Sequence, residues 1–473
     1  MPSKTPKRTI RTAAIITAIS ALVAVFTTTF SAPANASAAI TCVNTTPPGV
    51  SHGFAAGEPS THMGVFGEEA PASGDPSWDG ADRVNALAFD PVSNVIIAGG
   101  VFSSYIWNGT SYQVHNVVAF DATTGEPYTA FQPDVDGEVL TVAISCTGTA
   151  VFIGGTFHQV NGSARNYAAK LSLATGSLSS WDPNPNGIVQ SIALIHDHLV
   201  VAGNFTTIRG VKRSNIASLN STTAVVDNWL KLSITGHDPD GPQKVIKVIG
   251  NHAGTAATIL GNFNEVNDHP HRAIAMLHIT SSAATLYPWN TPLTKHACSD
   301  GFAAPILDAA YTPGDTRLIT VSTGGAHANS LCDVATKWNA TDTSNTAAKP
   351  MAQQWTGGDS MSGIACTSDS CFVGGHFRWG NNPPIQPQVP GTDCSDNASH
   401  AGYNCAGPTA VDRKGVEEID IASMKVTQWN PGHARQEGMH DAFLITTQGV
   451  FDASDGDTAG GIPRNDLAFW PFS

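Results

Sequence analysis

The chain has 473 residues, of which 13% are charged, and 38 acidic against 24 basic side chains give a formal net charge of -14. A negative, lysine-poor surface repels phosphate backbones and anionic lipid, which excludes nucleic acid and anionic membrane surfaces as partners. The length is ample for a sizeable core but long for one ordinary domain, an objection that internal repeats remove.

Lys4, Lys7, Arg8 and Arg11 precede an apolar run from Ala13 to Phe26, and Ala34-Asn35-Ala36 has the small residues of a cleavage site. Residues 1–36 therefore read as an export signal, and the mature protein is expected to be secreted. The run is short and followed by threonines, and no other stretch could span a bilayer, so no membrane span is expected. Losing four positive charges with the signal moves the net charge from -14 to -18. Residues 37–63 read as an N-terminal tail, and 64–473 as a single domain.

From there a string recurs: four or so apolar residues, then Gly-Gly-x-Phe or a close variant. Copies end at Phe102, Phe157, Phe205, Phe263 and Phe377, the first four spaced by 48 to 58 residues. A β-branched run stopping at glycines is a strand ending in a turn, and a fixed period means stacked supersecondary units. Another apolar strand precedes each copy (Val84 to Phe89, Val139 to Ser145, Ile188 to Leu194, Val245 to Ile249). A third follows (Asn116 to Asp121, Asn166 to Ser172, Asn215 to Asn220, Ala273 to Ile279, Val416 to Ile421, Asp466 to Trp470), usually ending in a turn such as Ala122-Thr123-Thr124-Gly125. An aromatic before a polar or Pro/Gly cluster marks a fourth strand: Phe131, Trp181, Trp229, Trp289, Trp355 and Trp429.

Four strands per repeat predict an all-β propeller. With Ser322 to His327 as a degenerate sixth copy and Ala453-Ser454-Asp455 as a seventh, the count is seven blades, six or eight staying open. The chain ends after the third strand of its last repeat. The missing strand is expected from Gly64 to Trp78, so that pairing of N- and C-terminal strands closes the ring and leaves no unpaired edge.

Eight cysteines follow residue 36, and in an oxidising space an even number reads as disulfides. Spacing suggests Cys366 with Cys371 across a hairpin turn, Cys394 with Cys405 closing a loop and Cys298 with Cys332 within one repeat; Cys42 and Cys146 are left by elimination.

The repeated glycines, the Phe and Trp landmarks and Arg165, Arg213 and Arg272 read as scaffold; chemistry is expected where repeats differ. The variable position before Phe runs Val101, Thr156, Asn204, Asn262, Ala326, His376 and Asp455, and strand alternation points it at a common rim. At the copy ending in Phe377, His376, Arg378, Trp379, Asn381 and Asn382 crowd one strand end, and a loop of some 30 residues follows. Indole, guanidinium and amides together suit a sugar ring. His327 and Asp455 are expected to join this ligand-binding set, with Asp359, His433, Arg435, His440, Asp452 and Asp457 nearby. Asp134-Val135-Asp136-Gly137-Glu138, Asp238-Pro239-Asp240-Gly241 and Asp452 to Asp457 are oxygen-rich turns; without an EF-hand pattern they read as turn chemistry, calcium being the one cofactor left open. His269-Pro270-His271 reads as surface histidines.

The Gly-Gly-x-Phe strand, the Arg165-Asn166 segment, the Ala-Thr-Gly turn and Trp181-Asp182-Pro183 resemble the secreted bacterial β-propellers built from delta-sixty-type repeats, over about Trp78 to Pro471. Gly374-Gly375-His376-x-Arg378-Trp379-x-Asn381-Asn382 and Trp429-Asn430-Pro431-Gly432 are the most specific match. Val450-Phe451-Asp452 departs from the family's Gly-Val-Trp ending. The family has no settled activity, so the resemblance implies a fold and no chemistry. The expected function is binding of an extracellular glycan or cell-envelope polymer. The alternatives are a polysaccharide hydrolase or lyase using His376 with Asp359, Asp452 or Asp455, and a protein-interaction scaffold.

Overall fold

β-Branched runs cut by glycines and tight turns pair locally, and each becomes an antiparallel meander. The computed structural model describes residues 59–67, 82–196, 198–295, 298, 305–324, 330–357, 359–382, 406–431, 442–454, 458–459, 462–464 and 466–472. Among them, seven such sheets follow one another along the chain. The first holds Arg83–Asp90, Val95–Val101 and Val117–Asp121; the second Val139–Ile144, Ala150–Gly155 and Ala168–Ser172; the third Val189–Ile195, His198–Gly203 and Ile216–Asn220. The fourth holds Lys244–Gly250, Ala256–Asn262, Ile274–Ile279 and Ala284–Leu286, and the fifth Ile306–Tyr311, Arg317–Ser322, Val334–Asn339 and Ala352–Trp355. The sixth holds Met361–Cys366, Ser370–Gly375, Val416–Asp420 and Lys425–Val426, and the seventh Ala442–Ile445, Gly449–Ala453 and Leu467–Pro471. The expected fourth strand is regular in the fourth to sixth sheets. In the first three it shrinks to single bridges, Phe120 to Pro127, Leu171 to Leu178 and Leu219 to Val226.

The first strand of each sheet packs against the first strand of the next, and that of the seventh against that of the first. Seven apolar clusters fill the spaces between neighbouring sheets. One joins Val139 and Phe157 to Ile97 of the preceding sheet; another joins Phe451 and Phe469 to Phe120 and Val84. The landmark aromatics Phe131, Trp181 and Trp289 are all fully buried wedges of this kind.

The glycine motif has a steric cause. In six sheets a bulge displaces the second or third residue of the first strand, for example between Val84 and Ala86 or Val189 and Ser191. The second glycine of the motif lies against this bulge. A Cβ on Gly155 or Gly203 would come within 1.9 Å of the carbonyl oxygen of Glu138 or Ile188. The first glycine position is freer and is filled by Ala202 and Leu260 in two copies.

A second marker recurs in all seven sheets. The residue entering the third strand is left-handed, with φ of 65° at Asn116, 63° at Tyr167, 70° at Asn215, 64° at Ala273, 51° at Asp333, 74° at Gly415 and 62° at Asp466. Two residues earlier, Arg165, Arg213, Arg413 and Arg464 occupy one equivalent position. Each donates from Nη2 to a carbonyl of the outer segment, at Ser179, Asp227, Thr427 and Ser60 respectively. Arg272 is offset by one and donates instead to Asp238 Oδ2 at 2.8 Å; the arginine position of the fourth sheet belongs to His271.

One expectation shifts in register. In the fifth sheet Thr323 N donates to Pro305 O as His376 N does to Ser360 O, so the rim position is Thr323 rather than Ala326. The cause is Ser322, which stands where other copies have the second glycine and leaves Gly324 beyond the strand. At the N-terminus, Ser60 N donates to Phe469 O of the seventh sheet at 2.7 Å, and Val65–Phe66 also touches Leu467–Pro471; the rest of the expected segment, residues 68–78, lies outside the described residues. Val65–Phe66 pairs with Ser104–Trp107, an insert of the first sheet; Trp78 lies outside the described residues.

Cys298 bonds Cys332 and Cys366 bonds Cys371, with Cα separations of 5.7 and 4.0 Å. Cys146 is also disulfide-bonded. Cys42, Cys394 and Cys405 lie outside the described residues. Among those described, no helix is long and apolar enough to cross a membrane.

Candidate functional site

The strand Ser370–Gly375 ends at the bulge of its neighbour, and its register delivers His376 to the rim. Nδ1 of His376 lies 3.1 Å from Asp359 Oδ1, the start of the same hairpin. The imidazole keeps 37% of its surface open and the carboxylate only 10%. The pair therefore presents the ring to solvent and shields the acid.

Arg378 stacks its guanidinium 4.6 Å above the Trp379 ring. Trp379 itself is buried at 8% exposure, in the short strand Trp379–Gly380 paired with Val411–Asp412. Its indole is thus a packing surface under an arginine, not an open platform. Asn381 is left-handed, at φ 52°, and its Oδ1 accepts from Val426 N at 3.1 Å. Asn382 is buried; its Oδ1 accepts from Gly407 N at 2.8 Å and its Nδ2 donates to Thr356 O at 3.3 Å. Asn381 thus ties this strand end to the outer strand Lys425–Val426, and Asn382 ties it to Gly407 and Thr356. His376, Arg378, Trp379, Asn381 and Asn382 are thus brought together at one strand end, with His376, Arg378 and Asn381 its partly open members.

His327 and Asp455 lie outside the described residues, as do His433, Arg435, His440 and Asp457. Asp452 is buried at 1% exposure in the seventh sheet. The oxygen-rich turns spend their carboxylates locally. Asp136 Oδ1 accepts from His158 N and Gln159 N, both at 2.8 Å, and Asp238 holds Arg272. No group of three or more His, Cys, Asp or Glu side chains suited to a metal occurs among the described residues.

A set of polar contacts between neighbouring first strands carries no single-letter signature, because each member differs. After the bulge, Thr141 Oγ1 accepts from Ile192 N and Ser191 Oγ from Val248 N, both 3.1 Å, each reaching the next sheet. Lys247 Nζ lies 3.2 Å from Asp308 Oδ2 in the same way. Burial pushes the Asp308 carboxyl up, and Lys247 pulls it partly back. Arg83 and Asn85 donate to Glu138, from Nε at 3.1 Å and Nδ2 at 3.0 Å. Only the bulge, visible in backbone register, would have located these positions in sequence.

No protein-family model matches the chain, and no curated protein matches it in sequence. In fold it is similar to the crystal structure of RRP9 WD40 repeats, with a TM-score of 0.50 and 11% identity over 86% of this chain and 100% of that one. It is similar also to the structure of U3-55K, with a TM-score of 0.51 and 10% identity over 87% and 99%. At such identities the likeness carries the fold alone, and with the successive meanders it makes the chain a β-propeller.

Proposed function

We propose that this propeller is secreted, has seven blades in a closed ring, and serves as an interaction scaffold whose rim at His376 docks an extracellular protein. The seven left-handed strand entries, and the packing of the seventh sheet's first strand on that of the first, support the blade count and closure. The resemblance to secreted delta-sixty-type propellers agrees with export. One observation carries the docking reading: His376 and Arg378 are each held by a neighbour and partly open, while Trp379 is packed away. Hydrogen bonding and positive charge without an open aromatic face suit a polar protein surface better than the apolar face of a sugar. Against the hydrolase reading, the Asp359 and Asp452 carboxylates are both buried.

A variant carrying His376→Ala with Arg378→Ala is expected to capture secreted partner proteins roughly tenfold more weakly, the equivalent of about 1.4 kcal/mol. Val225→Ala, on an exposed outer segment, should change nothing. Wild-type retention on insoluble envelope polysaccharide that the double variant loses would favour the glycan reading. Release of sugar by the wild type would favour the hydrolase, and either result overturns the scaffold.

A further inference from the structure

Three of the seven sheets lack an arginine two residues before the left-handed entry, with Val114, His271 and Leu331 there, and at His271 of the fourth sheet a cleft opens. Where Arg165, Arg213, Arg413 and Arg464 each send a guanidinium to an outer-segment carbonyl, this sheet has the shorter His271. The receiving carbonyls belong to Ser179, Asp227, Thr427 and Ser60, whose N–H groups bond Lys170, Ser218, Glu418 and Phe469. By the same register, Tyr287 N bonds Met276 O, so Tyr287 O is the carbonyl an arginine at 271 would meet.

A cleft of about 480 Å³ lies here, lined among others by His269, Pro270, His271, Tyr287, Pro288 and Asn290. That volume lies within the range of ligand sites. His271 is 2% exposed, and its Nδ1 is buried with no hydrogen-bond partner. Such a nitrogen costs about 1–3 kcal/mol unless something reaches it. The lining holds no Asp, Glu, Lys or Arg.

We propose that this cleft receives a guanidinium from outside, the side chain of an arginine on a partner protein, filling the slot that the chain fills for itself in four other sheets. Main-chain oxygen and a neutral imidazole nitrogen accept from guanidinium N–H groups, and the Tyr287 ring offers a cation its face. Burial, with His269 nearby, lowers the His271 pKa to about 4, so the ring does not repel a cation at neutral pH. The chain's net charge of -14 favours the approach of a cation. Nothing in this depends on the His376 rim.

The probe is the capped tripeptide acetyl-Gly-Arg-Gly-amide, titrated into the full chain by calorimetry or NMR. Saturable binding at least tenfold tighter than that of the lysine analogue is expected, with N-acetylglucosamine inert. His271→Arg, which fills the slot from within, should lose this binding at least tenfold and melt a few degrees higher. Tyr287→Ala should weaken binding similarly and serves if His271→Arg misfolds. His376→Ala with Arg378→Ala should bind like wild type, which separates this site from the rim. Absence of saturable binding, equal affinity for the lysine peptide, or binding retained in His271→Arg overturns the proposal. Free arginine binding as tightly as the peptide overturns the protein partner in favour of a small metabolite.

Discussion

Gly203→Ala is expected to destabilise the protein by about 3–5 kcal/mol, a loss carried by one methyl group. The added Cβ would sit 1.9 Å from Ile188 O and 3.0 Å from Ile188 C, both backbone atoms of the neighbouring strand. Backbone cannot rotate aside as a side chain can, and this segment is held by the bulge between Val189 and Ser191 and by Asn204 N donating to Ile188 O. Relief requires opening the hairpin at the rim, with loss of packing around Phe205 and Val189, both fully buried. Gly210→Ala is the informative control. It too adds one methyl, at φ 72°, but with no atom within 4 Å, so only about 1 kcal/mol of backbone strain is expected. Denaturant midpoints of the two variants should therefore differ widely; equal midpoints would refute the close approach as the reason for glycine.

That contrast also marks what the amino-acid string could convey. Gly100, Gly155, Gly203, Gly261 and Gly375 are legible because a backbone clash permits only one residue type. The left-handed strand entries meet a milder restriction: Asn116, Asn215, Asp333, Gly415 and Asp466 are types that favour it, but Tyr167 and Ala273 take it too, so the letter pattern is weaker than that of the glycines. The fifth repeat was misaligned because Ser322 takes the glycine's place, and spacing then followed Gly324 instead of the strand. At the candidate site, clustering of His376, Arg378 and Trp379 was readable from adjacency, but burial was not. Trp379 points inward because a two-residue strand pairs with Val411–Asp412, some thirty residues away across the long loop. His271 looked like a surface histidine because its neighbours His269 and Pro270 are exposed; only the arginine series in other sheets shows that it occupies an interior slot.

The strand bearing Trp379 also covers a buried acid, and this gives the second large effect. Glu417 is fully buried in the third strand of the sixth sheet, and neither of its carboxylate oxygens has a hydrogen-bond partner. Gly380 lies so close that a Cβ there would be 2.3 Å from Glu417 Oε2, so the short strand shuts water out. Arg413 attracts the charged form, but its Nη1 and Nη2 are spent on Asp412 O and Thr427 O, both at 2.6 Å. Burial therefore wins, and the carboxyl pKa is raised well above its ordinary value. A carboxyl with a raised folded-state pKa contributes stability that is fully present below the unfolded-state pKa and is lost as pH rises through the folded value. Glu417→Gln, similar in shape and unable to ionise, escapes that loss. The two proteins should have similar stability near pH 4. Above the ordinary carboxylate range the variant should gain on the wild type by up to about 1.4 kcal/mol per pH unit until the folded-state pKa is passed. Other titrating groups are shared and cancel in the difference, so denaturant unfolding at a series of pH values isolates this one carboxyl. Parallel curves would mean that Arg413 holds Glu417 ionised, and Trp379–Gly380 would then cover an ion pair instead of a neutral acid.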